Sequence, residues 1–462
     1  MKFPYLSENL FEGKSLTRDL YVEQTDIKDA SISIDGYKHS LVQVIALTVA
    51  LKMKVMIENP PLVSDTYVFI AIINEIGGNA KLIDNKLFID ATEICNSHIP
   101  VFTGKLIHGT MYLCPAFITA MGRFGYYGSG GCQIGSNEDA NTRPLSHILS
   151  VMKKFGTDIE LTESGVFGKA GRNNTEEGPD EIDIFEYSTS DKYLSGPLVG
   201  GATKTALIMA APKEHFVLRN AYLKTDVYDM VDFLRVLGKD VKIIDNDIVC
   251  SGKLDIDKEK VYSFRLTQCI SEIVTYATLF VLSNKKITFL DLKKDTIQRT
   301  LKPELTLFEK MGISTIWNGN DLTISREGEI NSIDIDVTPL TIQSDHHPFF
   351  TLLDLSGNRT SEITEYVWKD RFMYVDNLKK MGADIEVSGN KILMHPSKSK
   401  PYNKELPSMD VRSAAVSLVA IISSGSKCML TDVVHLLRGY SRLKEQLSKM
   451  GVTIQYKDVV RS

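Results

Sequence analysis

The sequence predicts an α/β protein of two domains, each assembled from three similar units. Two observations carry this prediction. The first is a recurring motif in which an amphipathic segment ends in an apolar residue and then glycine, at Ile76-Gly77, Phe155-Gly156, Leu237-Gly238, Met311-Gly312, Met381-Gly382 and Met450-Gly451. A glycine in that place can take the left-handed conformation that closes a helix. The second is a pair of strand-like runs after most of these glycines, joined by Asp84-Asn85, Asp245-Asn246-Asp247, Asn318-Gly319-Asn320 or Ser388-Gly389-Asn390. These residues suit tight hairpins. Helix, glycine and strand in succession are ordinary α/β grammar once or twice. Six copies spaced 69 to 82 residues apart, filling a chain of 462 residues, are an internal repeat. Units of that size and strand content do not fit a helical solenoid.

Taken in order, residues 1–20 are polar and irregular and read as an N-terminal extension. From Leu20 the pattern is strand-like, with Ile32 and Ile34 alternating before Asp35-Gly36. Tyr37-Lys38-His39-Ser40 then leads into the apolar helix pattern Leu41–Leu51. A lysine opening a helix is ordinarily just solvated. With a serine beside it, the free N–H groups and the positive dipole end can make an anion site. Between the first two glycine copies lies Gly128-Ser129-Gly130-Gly131-Cys132-Gln133-Ile134-Gly135-Ser136, which runs on to Arg143-Pro144. So many glycines let a backbone approach a ligand closely and present Cys132 rather than pack it. A cationic surround lowers a thiol pKa and makes it a usable acid or nucleophile. The loop has no Gly-Lys-Ser/Thr after it, so it is not a Walker loop, and its spacing is not a dinucleotide fingerprint.

Hydrophobic residues make up 43% of the chain and charged residues 24%, the balance of a soluble globular protein. A net charge of −5 argues against a bulk nucleic-acid binder. No apolar run reaches the roughly 18 residues of a membrane span, and the first residues lack a signal-peptide pattern. The six cysteines are scattered without a Cys-x-x-Cys pair, which fits a reducing cytoplasm better than a disulfide framework or a zinc site.

The remaining chemistry-bearing positions lie far apart: Asp345 in Ser344-Asp345-His346-His347, Arg371 in Asp370-Arg371-Phe372, Arg412 in Asp410-Val411-Arg412 and Arg438 in Leu437-Arg438-Gly439. Each arginine alone reads as a solvated surface charge. His346-His347 reads as a polar loop pair rather than a metal site, for want of a spaced partner.

Together these segments resemble the enolpyruvyl transferases, and among them most closely the branch acting on UDP-N-acetylglucosamine. The resemblance runs from about residue 20 to the end. It rests on Gly-Gly-Cys-x-Ile-Gly with its downstream Arg-Pro, on Ile363-Thr364-Glu365-Tyr366-Val367-Trp368-Lys369-Asp370-Arg371-Phe372-Met373, and on Arg438-Gly439-Tyr440. The shikimate-pathway branch lacks the cysteine. The resemblance implies a two-domain inside-out α/β barrel of six βαβαββ repeats, three per domain. Residues 1–36 with 267–462 would form one domain and residues 37–266 the other, with the active site in the cleft between them.

It implies transfer of the enolpyruvyl group of phosphoenolpyruvate to an acceptor hydroxyl with release of phosphate, in the cytoplasm. No cofactor and no metal is implied, nor is a nucleic-acid, membrane or obligate protein partner. Lys38, Arg143 and Arg438 would meet the donor phosphate, and Arg371 and Arg412 its carboxylate. Cys132 would be the loop acid, the thiol that fosfomycin alkylates, and Asp345 the general base, with Lys38 counted among the catalytic groups. The nucleotide-type acceptor would be met by His39, Pro144, Leu145, Ser146, Val199, Gly200, Asp345 and Trp368.

The departures from the family pattern concern the acceptor. His39 stands where the family usually has Asn, and Ser146 where it has Asp. About six extra residues, Asn137–Thr142, enter the cysteine loop. The stretch Leu194–Thr203 lacks the family's Lys and Ser. UDP-N-acetylglucosamine is therefore the default acceptor, a uridine nucleotide of a specialised pathway the alternative, and shikimate 3-phosphate a weaker one.

Overall fold

The computed structural model describes residues 15–128, 130, 145–171, 178–187, 189–190, 195–196, 200–368 and 371–461. Its strands form small sheets rather than one large one, and five of those among the described residues have four strands. In four of the five a hairpin lies at one edge, a strand antiparallel to it comes next, and a short parallel strand closes the other edge. Asn79–Ile83 and Lys86–Asp90 make such a hairpin, with Lys54–Ile57 beside it and then, in parallel, Val261–Phe264. In the fifth sheet the chain ends replace the hairpin: Ser15–Thr25 pairs along its length with Val452–Arg461. That corrects the reading of residues 1–20 as an irregular extension, since the last part of that stretch is a strand. Its alternation is hidden by polar residues such as Thr17 and Asp19, both of which are buried.

All six motif glycines have positive φ, from 80° to 97°, just after their helices. The hairpin residues Asp84, Asn85 and Asp245 also have positive φ, as do Gly319 and Gly389. The left-handed stops read from the sequence therefore occur where expected.

The helices fall into two kinds. Lys302–Lys310 buries one face and exposes the other, while Ser64–Glu75 and Thr225–Val236 are exposed only at their last two residues. Lys38–Ala50, Gly200–Ala210, Ile270–Leu282, His347–Leu355 and Val411–Ser423 are buried nearly all round. A helix that is apolar on every side must be enclosed by other elements. Lys38–Ala50 packs on Leu113–Met121 and Gly200–Ala210, and Ile270–Leu282 packs on His347–Leu355 and Val411–Ser423. Two hydrophobic cores result. One draws on Leu41 to Leu266, and the other on Leu20 to Tyr37 together with Cys269 to Ile454.

The chain passes between the cores twice, side by side. The Gly36 N–H donates to the Asn59 carbonyl at 2.8 Å, the Tyr37 N–H to the Thr267 carbonyl at 2.8 Å, and the Cys269 N–H to the Asp35 carbonyl at 2.9 Å. Space at this crossing is tight. A Cβ on Gly36 would lie 2.6 Å from the Asn59 carbonyl oxygen and 2.8 Å from Leu266. Gly36→Ala should therefore destabilise the protein by about 1–3 kcal/mol, the usual cost of forced overpacking, measured as a lower urea midpoint.

Candidate active site

Three charged groups lie around the start of Lys38–Ala50, close to where the two cores meet. In the first, Lys38 opens its helix and donates to Asp65 Oδ2 at 3.2 Å, while Arg438 Nε reaches Asp65 Oδ1 at 2.9 Å. Lys38 also donates to the Arg438 carbonyl at 2.9 Å. Burial pushes the Asp65 carboxyl up, but Arg438 and Lys38 outweigh it and bring it down to about 2.

In the second group, Arg371 and Arg412 grip opposite oxygens of Asp345. Arg412 does so at 3.0 Å, and Arg371 also donates to Ser344 Oγ at 2.7 Å. Burial opposes the Asp345 charge, but Arg412 and Arg371 hold the carboxyl well below the usual range. Ser344 in turn donates to Glu365, which also accepts the N–H groups of Val367 at 2.7 Å and Trp368 at 3.1 Å. Arg412 reaches Ser271 Oγ at 3.1 Å, and Ser271 meets His346 Nε2 at 3.2 Å.

The third group lies near His39, the residue after Lys38, which feels the charges of Asp226 and Lys204. Lys204 pairs with Asp226 at 2.9 Å and lies 4.9 Å from the Tyr112 ring centre. His147 packs against Gly201 so closely that a Cβ there would meet its Nε2 at 2.1 Å. Burial and Lys204 push His147 down to about 4. Burial, then Lys38, push His39 down to about 3. His39 and Tyr37, on either side of Lys38, both feel the Asp345 charge, so the first two groups share one region.

The structure thus brings together Lys38, His39, Asp345, Arg371, Arg412 and Arg438. Arg371 and Arg438 are buried, against the bland reading of each arginine as a solvated charge. Gly200 opens its helix and faces Tyr222 and the Lys204 ammonium. Ser146 is exposed at the start of its helix, Leu145 packs on the first core, and Trp368 is half-buried beside Glu365. Cys132, Arg143, Pro144 and Val199 lie outside the described residues.

One expectation is corrected. His346 and His347 are not a polar loop pair, because both are fully buried. His346 Nδ1 meets Glu304 at 2.7 Å, and His347 packs on Phe372 and Tyr374. Among the described residues no group of three or more His, Cys, Asp or Glu could hold a metal. No helix there is long and apolar enough to cross a membrane.

Sequence reasoning missed Asp65, Lys204, Asp226 and Ser344. Lys204 did leave a signal, as a lone charge inside an otherwise apolar helix. Asp65 left only a weak one, an acid in a first helical turn.

A family model described as EPSP synthase (3-phosphoshikimate 1-carboxyvinyltransferase) matches residues 23–447. The chain belongs to this family of enolpyruvyl transferases and is a transferase. It is 24% identical to a UDP-N-acetylglucosamine 1-carboxyvinyltransferase 1 of Clostridium acetobutylicum, over 92% of this chain and 96% of that one. It is 25% identical to a UDP-N-acetylglucosamine 1-carboxyvinyltransferase of Thermotoga petrophila, over 95% and 98%. The crystal structure of the enolpyruvyl transferase NikO from Streptomyces tendae superposes with a TM-score of 0.84 at 27% identity, covering 96% of this chain and all of that one. An EPSP synthase from Acinetobacter baumannii shares the fold, with a TM-score of 0.66 at 15% identity, covering 96% of this chain and 100% of that one.

The Asp65 geometry sets an expected pH response. Its folded pKa of about 2 lies below the ordinary 3.8, so its stabilisation is complete above about pH 4 and is lost as pH falls towards 2. Between about pH 5 and pH 3 the protein should lose about 1 kcal/mol more unfolding free energy than Asp65→Asn does, as read from urea titrations at each pH.

Proposed function

We propose that this chain moves the enolpyruvyl group of phosphoenolpyruvate to a hydroxyl of a nucleotide-type acceptor. One observation carries the reading: two pairs of cleft cations, Lys38 with Arg438 and Arg371 with Arg412, are each gathered on a single carboxylate. A donor with a phosphate at one end and a carboxylate at the other suits two such pairs. Lys38 and Arg438, with Arg143, take the phosphate, and Arg371 and Arg412 take the carboxylate. The fold that supports this is read as an inside-out barrel of six repeats. Its domains are 1–36 with 267–462, and 37–266.

The acceptor oxygen bonds to C2 of the donor while C3 takes a proton, giving a tetrahedral ketal. Loss of a proton from C3 and of phosphate from C2 then restores the double bond. Asp345 accepts the hydroxyl proton, and Cys132 is the acid of the loop. While both arginines grip Asp345, its low pKa makes it a poor base. The incoming donor carboxylate competes for the same guanidinium groups. Asp345 is thereby released to act as a base only when the donor is present.

UDP-N-acetylglucosamine is the first acceptor to test, because relatives matching over nine-tenths of the chain carry that name. With it, the reaction would belong to peptidoglycan synthesis in the cytoplasm. A different uridine nucleotide is the second reading. It is favoured by His39, Ser146 and the stretch Leu194–Thr203, which depart from the family pattern where the acceptor would lie.

Phosphate release should be measured with phosphoenolpyruvate and each of UDP-N-acetylglucosamine, uridine monophosphate and shikimate 3-phosphate, with mass spectrometry of the products. Release with a nucleotide is the expected outcome, and none with any acceptor would sink the reading. In Asp345→Asn the chemical step should slow by roughly 10²–10⁴-fold. Unchanged turnover with weakened acceptor binding would make Asp345 a binding residue only. Fosfomycin should add to Cys132, faster with the correct acceptor present. Intact mass and peptide mapping check this, and addition at another cysteine would remove Cys132 from the proposed role.

A further inference from the structure

Asp65 takes no part in the chemistry set out above, yet it connects both halves of the cleft. It is buried in the first turn of Ser64–Glu75, and it holds Lys38 at 3.2 Å and Arg438 at 2.9 Å. Lys38 heads the first central helix of one core, whereas Arg438 lies on a short helical turn, Leu436–Arg438, that packs with the other. Two more hydrogen bonds cross at the same place. Lys38 reaches the Arg438 carbonyl at 2.9 Å, and the Leu62 N–H donates to Ser441 Oγ at 2.8 Å.

Two cations brought together away from water repel each other unless a counter-charge lies with them. A carboxylate shared by both offsets that repulsion. The three groups together keep a net charge of one, which still attracts an anion. Because Asp65 belongs to one core and Arg438 to the other, the same contact that gathers the cations also draws the two bodies together.

We propose that Asp65 is a positioning residue for the donor phosphate, joining Lys38 to Arg438 across the cleft so that the phosphate-binding pair exists only when the two bodies meet. This rests on the donor assignment made above.

The test uses the full chain with Asp65→Asn and Asp65→Glu, each checked for folding by circular dichroism and thermal unfolding. Asp65→Asn should raise KM for phosphoenolpyruvate about ten- to a hundredfold while KM for the acceptor stays within about twofold, as expected from loss of charge-assisted hydrogen bonds. Asp65→Glu keeps the charge and should recover part of the loss. An unchanged KM for phosphoenolpyruvate in Asp65→Asn, or equal losses in both variants, overturns the proposal. A second readout does not depend on turnover. Amide hydrogen exchange across residues 436–442 of the ligand-free protein should be faster in Asp65→Asn than in the unaltered chain. Equal exchange overturns the contact between the bodies even if the donor assignment stands. An unaltered chain that shows no phosphoenolpyruvate-dependent turnover counts against the donor assignment, while the exchange measurement still decides the role of Asp65.

Discussion

Cations buried at a cleft need counter-charges, and this requirement organises the whole site. Asp65 serves Lys38 and Arg438, Asp345 serves Arg371 and Arg412, and Asp226 serves Lys204. Each carboxylate lets its cations be enclosed before any ligand arrives. Removing one partner of such a set leaves an uncompensated buried charge, at a cost of about 3–5 kcal/mol. The support continues one layer out, where Glu365 fixes Ser344 and Ser344 fixes Arg371.

The fold explains why these groups stand where they do. The central helices are buried nearly all round, because sheets and other helices enclose them. Their first turns are the parts that meet the charged groups. Lys38, Gly200, Ser271, His347 and Arg412 all occupy first turns of such helices. There the unpaired N–H groups and the positive dipole end add to the attraction that the side chains offer an anion. A lysine or arginine at a helix start would ordinarily oppose that dipole, and the shared carboxylates Asp65 and Asp345 offset the opposition.

The α/β class and the helix stops were legible in the sequence because that punctuation is local. A glycine that must take positive φ, or an Asp-Asn turn, declares itself without knowledge of its neighbours, and all six motif glycines did so. The first half of the first strand was not legible, because Thr17 and Asp19 are polar and meet the distant segment around Asp432. The site was legible in part. Lys38, Asp345 and the arginines came from a resemblance that quotes whole words of sequence. Asp65 could not come that way, since its significance lies in Arg438, 373 residues downstream. His346 was misread for a similar reason: its partners Glu304 and Ser271 lie 42 and 75 residues away.

On the proposed reading the groups on Asp65 and Asp345 form the donor flank and the group around Lys204 the other, and the two differ in electrical character. On the donor flank the arginines remain charged and exceed their carboxylate partners. On the other flank Lys204 is matched by Asp226, and His39 and His147, pushed down to about 3 and about 4, are neutral near pH 7. Burial is the first cause for both histidines, and a neighbouring lysine is the second. A neutral imidazole offers one donor and one acceptor, and its hydrogen-bonding pattern does not change until the solution is strongly acidic. On the proposed reading this flank recognises the acceptor by hydrogen-bond pattern, while the donor flank recognises its ligand by charge. Departures such as His39 and Ser146 would then change which nucleotide fits without disturbing the cations that handle phosphoenolpyruvate. On that reading the donor chemistry and the acceptor choice could vary separately, although both groups of residues meet near Lys38 and His39.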